Sequence, residues 1–119
     1  DGAYPHEVAG AEVAEIDLRP TVRAAVEDLI AGIGAPAVSA RFHNTLVAAA
    51  AHVVATAAQE HGPLPVVLTG GCFQNPRLAT GVRGRLEGGH AVHLHREVPP
   101  GDGGLALGQA LVADARERA

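Results

Sequence analysis

The residues in this chain that could do chemistry sit among glycines. Leu68-Thr-Gly-Gly-Cys-Phe-Gln-Asn75 sets a short apolar run, two adjacent glycines and an amide side chain directly before Pro76. Proline suits the first turn of a helix, where its missing N–H would have had no partner, so the passage reads as strand, glycine turn, helix. Gly70 and Gly71 can take positive φ and leave no Cβ between backbone and ligand, which lets amide N–H groups approach a phosphate or a ribose. Asn75 adds a donor and an acceptor at the start of that helix. The same passage also serves as a plain strand-to-helix connection, and the turn by itself does not separate the two uses.

Asp102, within Pro99-Pro-Gly-Asp-Gly-Gly104, reads as the cap of the helix expected over residues 103–116, and a carboxylate at that end keeps a second oxygen for another partner. His93 and His95 stand two apart on an expected strand, so they share a face and could reach one metal. A partly exposed strand face beside Val92 and Leu94 accounts for them more simply. His43 fits a hydrogen-bonded histidine placed by its helix rather than a catalyst. Cys72 lacks an identifiable general base and reads as a small apolar filler. Among the arginines, Arg77 is near enough to the glycine turn to meet a phosphate, while Arg41, Arg83 and Arg85 read as solvated.

Composition removes several alternatives. Nine basic residues, all Arg, stand against 13 acidic ones, for a net charge of -4. No basic run could follow a nucleic-acid backbone. The absence of Lys excludes a P-loop lysine or a Schiff base, and the lone serine, Ser39, has no nucleophile-elbow context. A single cysteine cannot form an internal disulfide or a multi-cysteine zinc site. No secretory segment or membrane-length apolar run is present, so a cytoplasmic protein with no membrane partner is expected. With 47% hydrophobic but only 3% aromatic residues, the core must be built from Ala, Val, Leu and Ile. The chain opens Asp1-Gly2 without a methionine, which suggests a segment of something longer.

The elements that must position these residues follow from periodicity. Residues 1–15 show no clear period, although Tyr4-Pro5 and the Val8, Val13, Ile16 spacing could form an extended piece at an edge. A helix is expected from Pro20 to about Ile33, with Val22, Val26, Leu29 and Ile33 on one face. A longer one should run from Pro36 to about Glu60, where Val38, Phe42, Leu46, Ala49, Val53 and Ala57 recur at steps of three and four. Strand 65–70, helix 76–87, strand 90–95 and helix 103–116 then form a βαβ unit with a parallel strand pair, followed by a last helix. The fold class is α/β, helices on a small sheet, and two strands are too few for an independent sheet.

Five blocks in order, Ile16-Asp-Leu-Arg-Pro20, Ala40-Arg-Phe-His-Asn-Thr-Leu46, Leu68 to Asn75, Pro99 to Gly104 and Leu107-Gly-Gln-Ala110, resemble the C-terminal end of the hydrogenase maturation carbamoyltransferases, the HypF family. The resemblance runs from about Tyr4 to Ala113. It implies that residues 1–119 are the C-terminal portion of a Kae1-like domain, of the actin-like ATPase, RNase H-like superfold. It further implies ATP as cofactor, carbamoyl phosphate as substrate, a carbamoyl-adenylate intermediate, and transfer to the C-terminal cysteine of a HypE-like acceptor protein. Carried over by position, Gly70, Gly71 and Asn75 face the adenosine part of the nucleotide. Asp102 becomes a ligand of a divalent metal, with iron, zinc and magnesium not distinguished.

Asn75 and Asp102 are 27 positions apart, room for one helix and one strand, which puts both loops at the same carboxyl edge of a sheet. The chain departs from the family at Cys72, where Val is more usual, and at Gly101, where Asn is usual. The family's two-histidine metal motif, its phosphate-binding loops and its YrdC-like domain are not in these residues. The 119 residues alone are therefore expected to be inactive and to need the remainder of the HypF-like chain. An O-carbamoyltransferase of secondary metabolism and a non-catalytic regulatory piece of the same fold are the rival readings.

Overall fold

A computed structural model describes residues 2–10 and 15–118. The order is β1 (Glu7–Ala9), β2 (Glu15–Asp17), α1 (Arg19–Ile30), α2 (Ala35–His61), β3 (Val66–Leu68), α3 (Pro76–Leu86), β4 (Val92–Leu94) and α4 (Leu105–Arg118). Two 3-10 turns, Gly71–Gln74 and Asp102–Gly104, precede α3 and α4.

The expected βαβ unit is present. β3 and β4 are parallel, with Val66 opposite Val92 and Leu68 opposite Leu94, and α3 connects them. α3 packs its Ala79, Val82 and Leu86 inward. Leu68, Val82 and Leu86 form the buried cluster, flanked by Val47, Ala50, Ala51 and Val54 of α2. The face of α2 turned to α3 is thus Val47, Ala50, Ala51 and Val54, rotated from the expected Val38-to-Ala57 stripe. Small residues let the two helices approach closely. A Cβ placed on Gly81 would lie 2.8 Å from Val47 Cγ2.

The amino-terminal segment is extended at Val8 and Ile16, as their spacing allowed, and is anchored more firmly than an unpatterned segment suggests. β1 and β2 pair antiparallel, Val8 opposite Ile16, while Val13 lies outside the described residues. Tyr4 is buried, and its N–H donates to Thr45 Oγ1 at 2.7 Å. The Thr45 hydroxyl in turn donates to Arg41 O at 2.9 Å. Thr21 Oγ1 donates to Pro5 O at 2.7 Å and Asn44 Nδ2 to Gly2 O at 2.8 Å. Three of these hydrogen bonds tie the segment to α1 and α2. Arg41, expected to be solvated, pairs with Asp28, which also accepts from Tyr4 Oη at 2.7 Å. These partners hold the Asp28 carboxyl below its ordinary value, the Tyr4 bond contributing most, while burial raises the Tyr4 phenol.

Much apolar surface is left uncovered. Val22, Val26 and Leu29 of α1 are about half exposed. On α4 Leu105, Leu107, Leu111 and Val112 are exposed too, as is Val67 on the outer face of β3. The radius of gyration is 17.3 Å, against about 13.5 Å for a compact domain of this length. The helical periodicity of α1 was legible in the sequence; the partner of its apolar stripe is not within the described residues.

Candidate functional site

β3 ends at Leu68 and the chain turns at Gly70, whose φ of 96° lies in the left-handed region that glycine tolerates. Gly71, expected to share that freedom, is not among the positive-φ residues and begins the 3-10 turn instead. A Cβ added at Gly71 would meet no atom within 4 Å, so the space above it is open. The Gly70 N–H donates to Pro100 O at 2.6 Å, joining the glycine turn to the loop before α4.

That joint is close-fitting on one side. A Cβ on Gly101 would lie 2.9 Å from Gln74 Nε2 and 3.6 Å from Gly71 Cα. One on Gly104 would lie 2.8 Å from Pro99 O. Gly101 thus makes room for the Gln74 amide. The two loops are held edge to edge, as the 27-residue spacing implied.

Asn75 is the N-cap of α3. Its Oδ1 accepts from Arg77 N at 3.0 Å and from Leu78 N at 3.3 Å, which satisfies two helix N–H groups that have no intrahelical partner. Its Nδ2 lies 2.9 Å from His43 Nε2, and His43 Nδ1 lies 2.8 Å from Ser39 O. His43 therefore does more than pack. It brings the Arg-Phe-His-Asn block of α2 against the Phe-Gln-Asn block of the turn, a contact no local periodicity reveals.

Asp102 is exposed in the first position of its 3-10 turn. Among the hydrogen bonds between described residues its carboxylate takes none, so the capping role it was also expected to play is not seen. The carboxylate is left open to solvent. A divalent ion takes four or more ligands, and no group of three His, Cys, Asp or Glu among the described residues could hold one. One carboxylate is a fitting part of such a set and no more. His95 Nε2 sits 2.9 Å from Thr69 Oγ1, and His93 is exposed. Cys72, expected as a filler, is exposed on the turn. Arg77 is exposed beside the loop.

A cavity of about 580 Å³ lies between α4 and the strand ends, lined by Thr69, His95, Val98, Leu105, Val112 and Arg116 among others. None of Gly70, Gly71, Asn75 or Asp102 lines it. Pro99, Pro100, Gly101 and Gly104 of the loop before α4 do line it, so it adjoins the paired loops along the uncovered apolar surface of α4.

Comparison with known proteins agrees with this geometry. The model for the carbamoyltransferase Kae1-like domain, second subdomain, matches residues 1–109. The chain is 42% identical over 99 residues to carbamoyltransferase HypF2 of Cupriavidus necator, covering 82% of this chain and 12% of that protein. It is 40% identical over 116 residues to a HypF homolog of the same organism, covering 92% of this chain and 29% of that one. Over 51 residues it is 57% identical to HypF of Rhodobacter capsulatus, covering 43% of this chain and 7% of that protein. The crystal structure of a full-length HypF in its phosphate- and nucleotide-bound form superposes with a TM-score of 0.92 at 33% identity, over 99% of this chain and 16% of that one.

The α/β fold and the family-model match place the chain among Kae1-like domains. The chain belongs to the HypF family, as the second subdomain of its Kae1-like domain. It spans between 12% and 29% of the two Cupriavidus relatives. No helix among the described residues is long and apolar enough to cross a membrane.

Proposed function

We propose that this chain is the nucleotide- and metal-binding part of an ATP-dependent, cytoplasmic carbamoyltransferase that works only when joined to the other modules of a HypF-like protein. In this reading carbamoyl phosphate supplies the carbamoyl group and ATP activates it as carbamoyl-adenylate. The group then passes to the C-terminal cysteine of a HypE-like acceptor during nickel–iron hydrogenase maturation. The observation that carries the reading is the joint between the two loops. The Gly70 N–H to Pro100 O bond holds the glycine turn and the Asp102 turn side by side, leaving open space over Gly71.

Within that crevice the roles divide by chemistry. Gly70 and Gly71 expose backbone without side chains, suited to close approach by a ribose or phosphate. Asn75, fixed as a cap, offers its remaining amide hydrogen to the nucleoside. Asp102 supplies one oxygen ligand to a divalent cation whose other ligands come from outside this chain. Such an ion neutralises charge on phosphate oxygens and helps orient them. The uncovered faces of α1 and α4 support the need for the other modules.

The test uses a full-length HypF protein carrying this chain as its second subdomain. Carbamoyl-phosphate-dependent release of pyrophosphate from ATP is expected. In Asp102→Asn that release should fall about 100-fold or more, several kcal/mol of lost charge stabilisation, together with bound metal. Thermal stability should hold, because the carboxylate makes no hydrogen bond to any described residue. Full activity and metal content in Asp102→Asn, or pyrophosphate release that ignores carbamoyl phosphate, would overturn the reading.

A further inference from the structure

We propose that His43 is a positioning residue that fixes the amide of Asn75 in one orientation, so that the group Asn75 presents to a ligand is an N–H donor and never its carbonyl. This rests on the reading of the glycine turn as a nucleotide site and adds a residue to it. The argument is one of hydrogen-bond counting.

Ser39 O is a carbonyl and can only accept, so His43 Nδ1, 2.8 Å away, must carry the proton. In a neutral imidazole that leaves Nε2 as an acceptor. The atom 2.9 Å from it is Asn75 Nδ2, which donates. The same direction is demanded from the other side. Arg77 N and Leu78 N are donors and must meet Asn75 Oδ1. Two independent constraints, a helix carbonyl on α2 and the helix N–H groups of α3, therefore agree on one amide orientation.

An amide nitrogen has two hydrogens, and His43 uses one. The oxygen already receives two N–H groups. What remains at this exposed side chain is a single N–H. The complementary ligand atom is an acceptor: a purine ring nitrogen or a ribose oxygen acting as acceptor fits, whereas a group that can only donate does not. The bond from α2 matters because the cap alone restrains the oxygen and leaves the amide free to tilt about its own axis.

The experiment measures ATP affinity and melting temperature in a full-length HypF protein carrying this chain. Asn75→Ala should weaken ATP binding about tenfold, the scale of one or two hydrogen bonds. His43→Phe keeps ring bulk but removes the acceptor, and should weaken binding by a similar factor with Asn75 still in place. His43→Gln restores an acceptor at the same reach and should return affinity to within about twofold of the unaltered protein. The double variant His43→Phe with Asn75→Ala should be no weaker than Asn75→Ala alone, the signature of two residues acting as one unit.

A His43→Phe protein that melts lower but binds ATP normally, while Asn75→Ala binds weakly, would overturn the positioning role and leave the loop reading intact. Failure of glutamine to rescue, or fully additive losses in the double variant, would overturn it in the same way. Normal ATP affinity in Asn75→Ala and Gly71→Val together would instead remove the nucleotide loop itself, and the role of His43 with it.

Discussion

Replacing Gly71 by Val separates a structural glycine from one that makes room for a ligand. Gly71 is not in the left-handed region and a Cβ there meets no atom within 4 Å. A valine therefore costs the fold neither strain nor a clash, and stability should stay within about 0.5 kcal/mol, as for an ordinary surface change. The side chain would instead occupy the open space over the turn. Displacing a nucleotide from one or two good hydrogen bonds costs about 1.5–3 kcal/mol, or roughly 10–100-fold in Kd. The control is Gly104→Val, whose Cβ would lie 2.8 Å from the backbone Pro99 O and 3.0 Å from Val98 Cγ1; it should cost about 1–3 kcal/mol of stability through overpacking. Titration of ATP and thermal melts on both variants of a full-length HypF protein carrying this chain give the answer. Unchanged ATP affinity in Gly71→Val would refute the reasoning and make the turn a plain connection.

Two further outcomes concern the fold. In α3, Gly81→Ala must move Val47 Cγ2, 2.8 Å from the new Cβ, whereas Gly84→Ala meets nothing within 4 Å. The helix-propensity gain of about 1 kcal/mol should appear at Gly84, and at Gly81 the overpacking cost should reverse it to a net loss of about 1 kcal/mol; urea denaturation that stabilised both equally would contradict the close α2–α3 approach. Asp28 is held below its ordinary value of 3.8 chiefly by the Tyr4 hydroxyl and then by Arg41, so its contribution is present above that pH and is lost as pH falls through the lowered value. Tyr4 is the only tyrosine and there is no tryptophan; its fluorescence should change below about pH 3.8 in this chain and not in Asp28→Asn, and a flat signal down to the acid limit would dissociate Tyr4 from Asp28.

What could be read without coordinates was what is local. β3, α3 and β4 are bounded by Pro65, Gly70-Gly71, Pro76 and Gly88-Gly89, each a residue type whose backbone preference is strong enough to mark a boundary alone. The parallel pairing of β3 with β4 followed from a helix-length connection, and so did the meeting of the two loops.

What could not be read depends on groups far apart in the chain. Tyr4 looked like part of an unpatterned segment because its partner is Thr45, 41 residues away, and a single side-chain-to-backbone bond leaves no period. Arg41 looked solvated because Asp28 lies on another helix. His43 and Asn75 are separated by 32 residues, and neither residue alone distinguishes a partner from a cap. Gly70 and Gly71 are chemically identical in the sequence; only the backbone path assigns positive φ to the first and open space to the second.

The Val22, Val26, Leu29 stripe belongs to neither group. Its period correctly signalled an amphipathic helix, yet α1 leaves that face about half exposed and buries Thr21 instead. An apolar helix face is selected against water wherever it can be covered. The buried cluster of this chain rests on Leu68, Val82 and Leu86, while the apolar side chains of α1 and α4 and the outer face of β3 point away from it. The sequence therefore encodes more hydrophobic surface than its own fold encloses. The chain matches about a sixth of a full-length HypF chain, so the parts of such a relative that it does not span are the natural cover for these apolar faces.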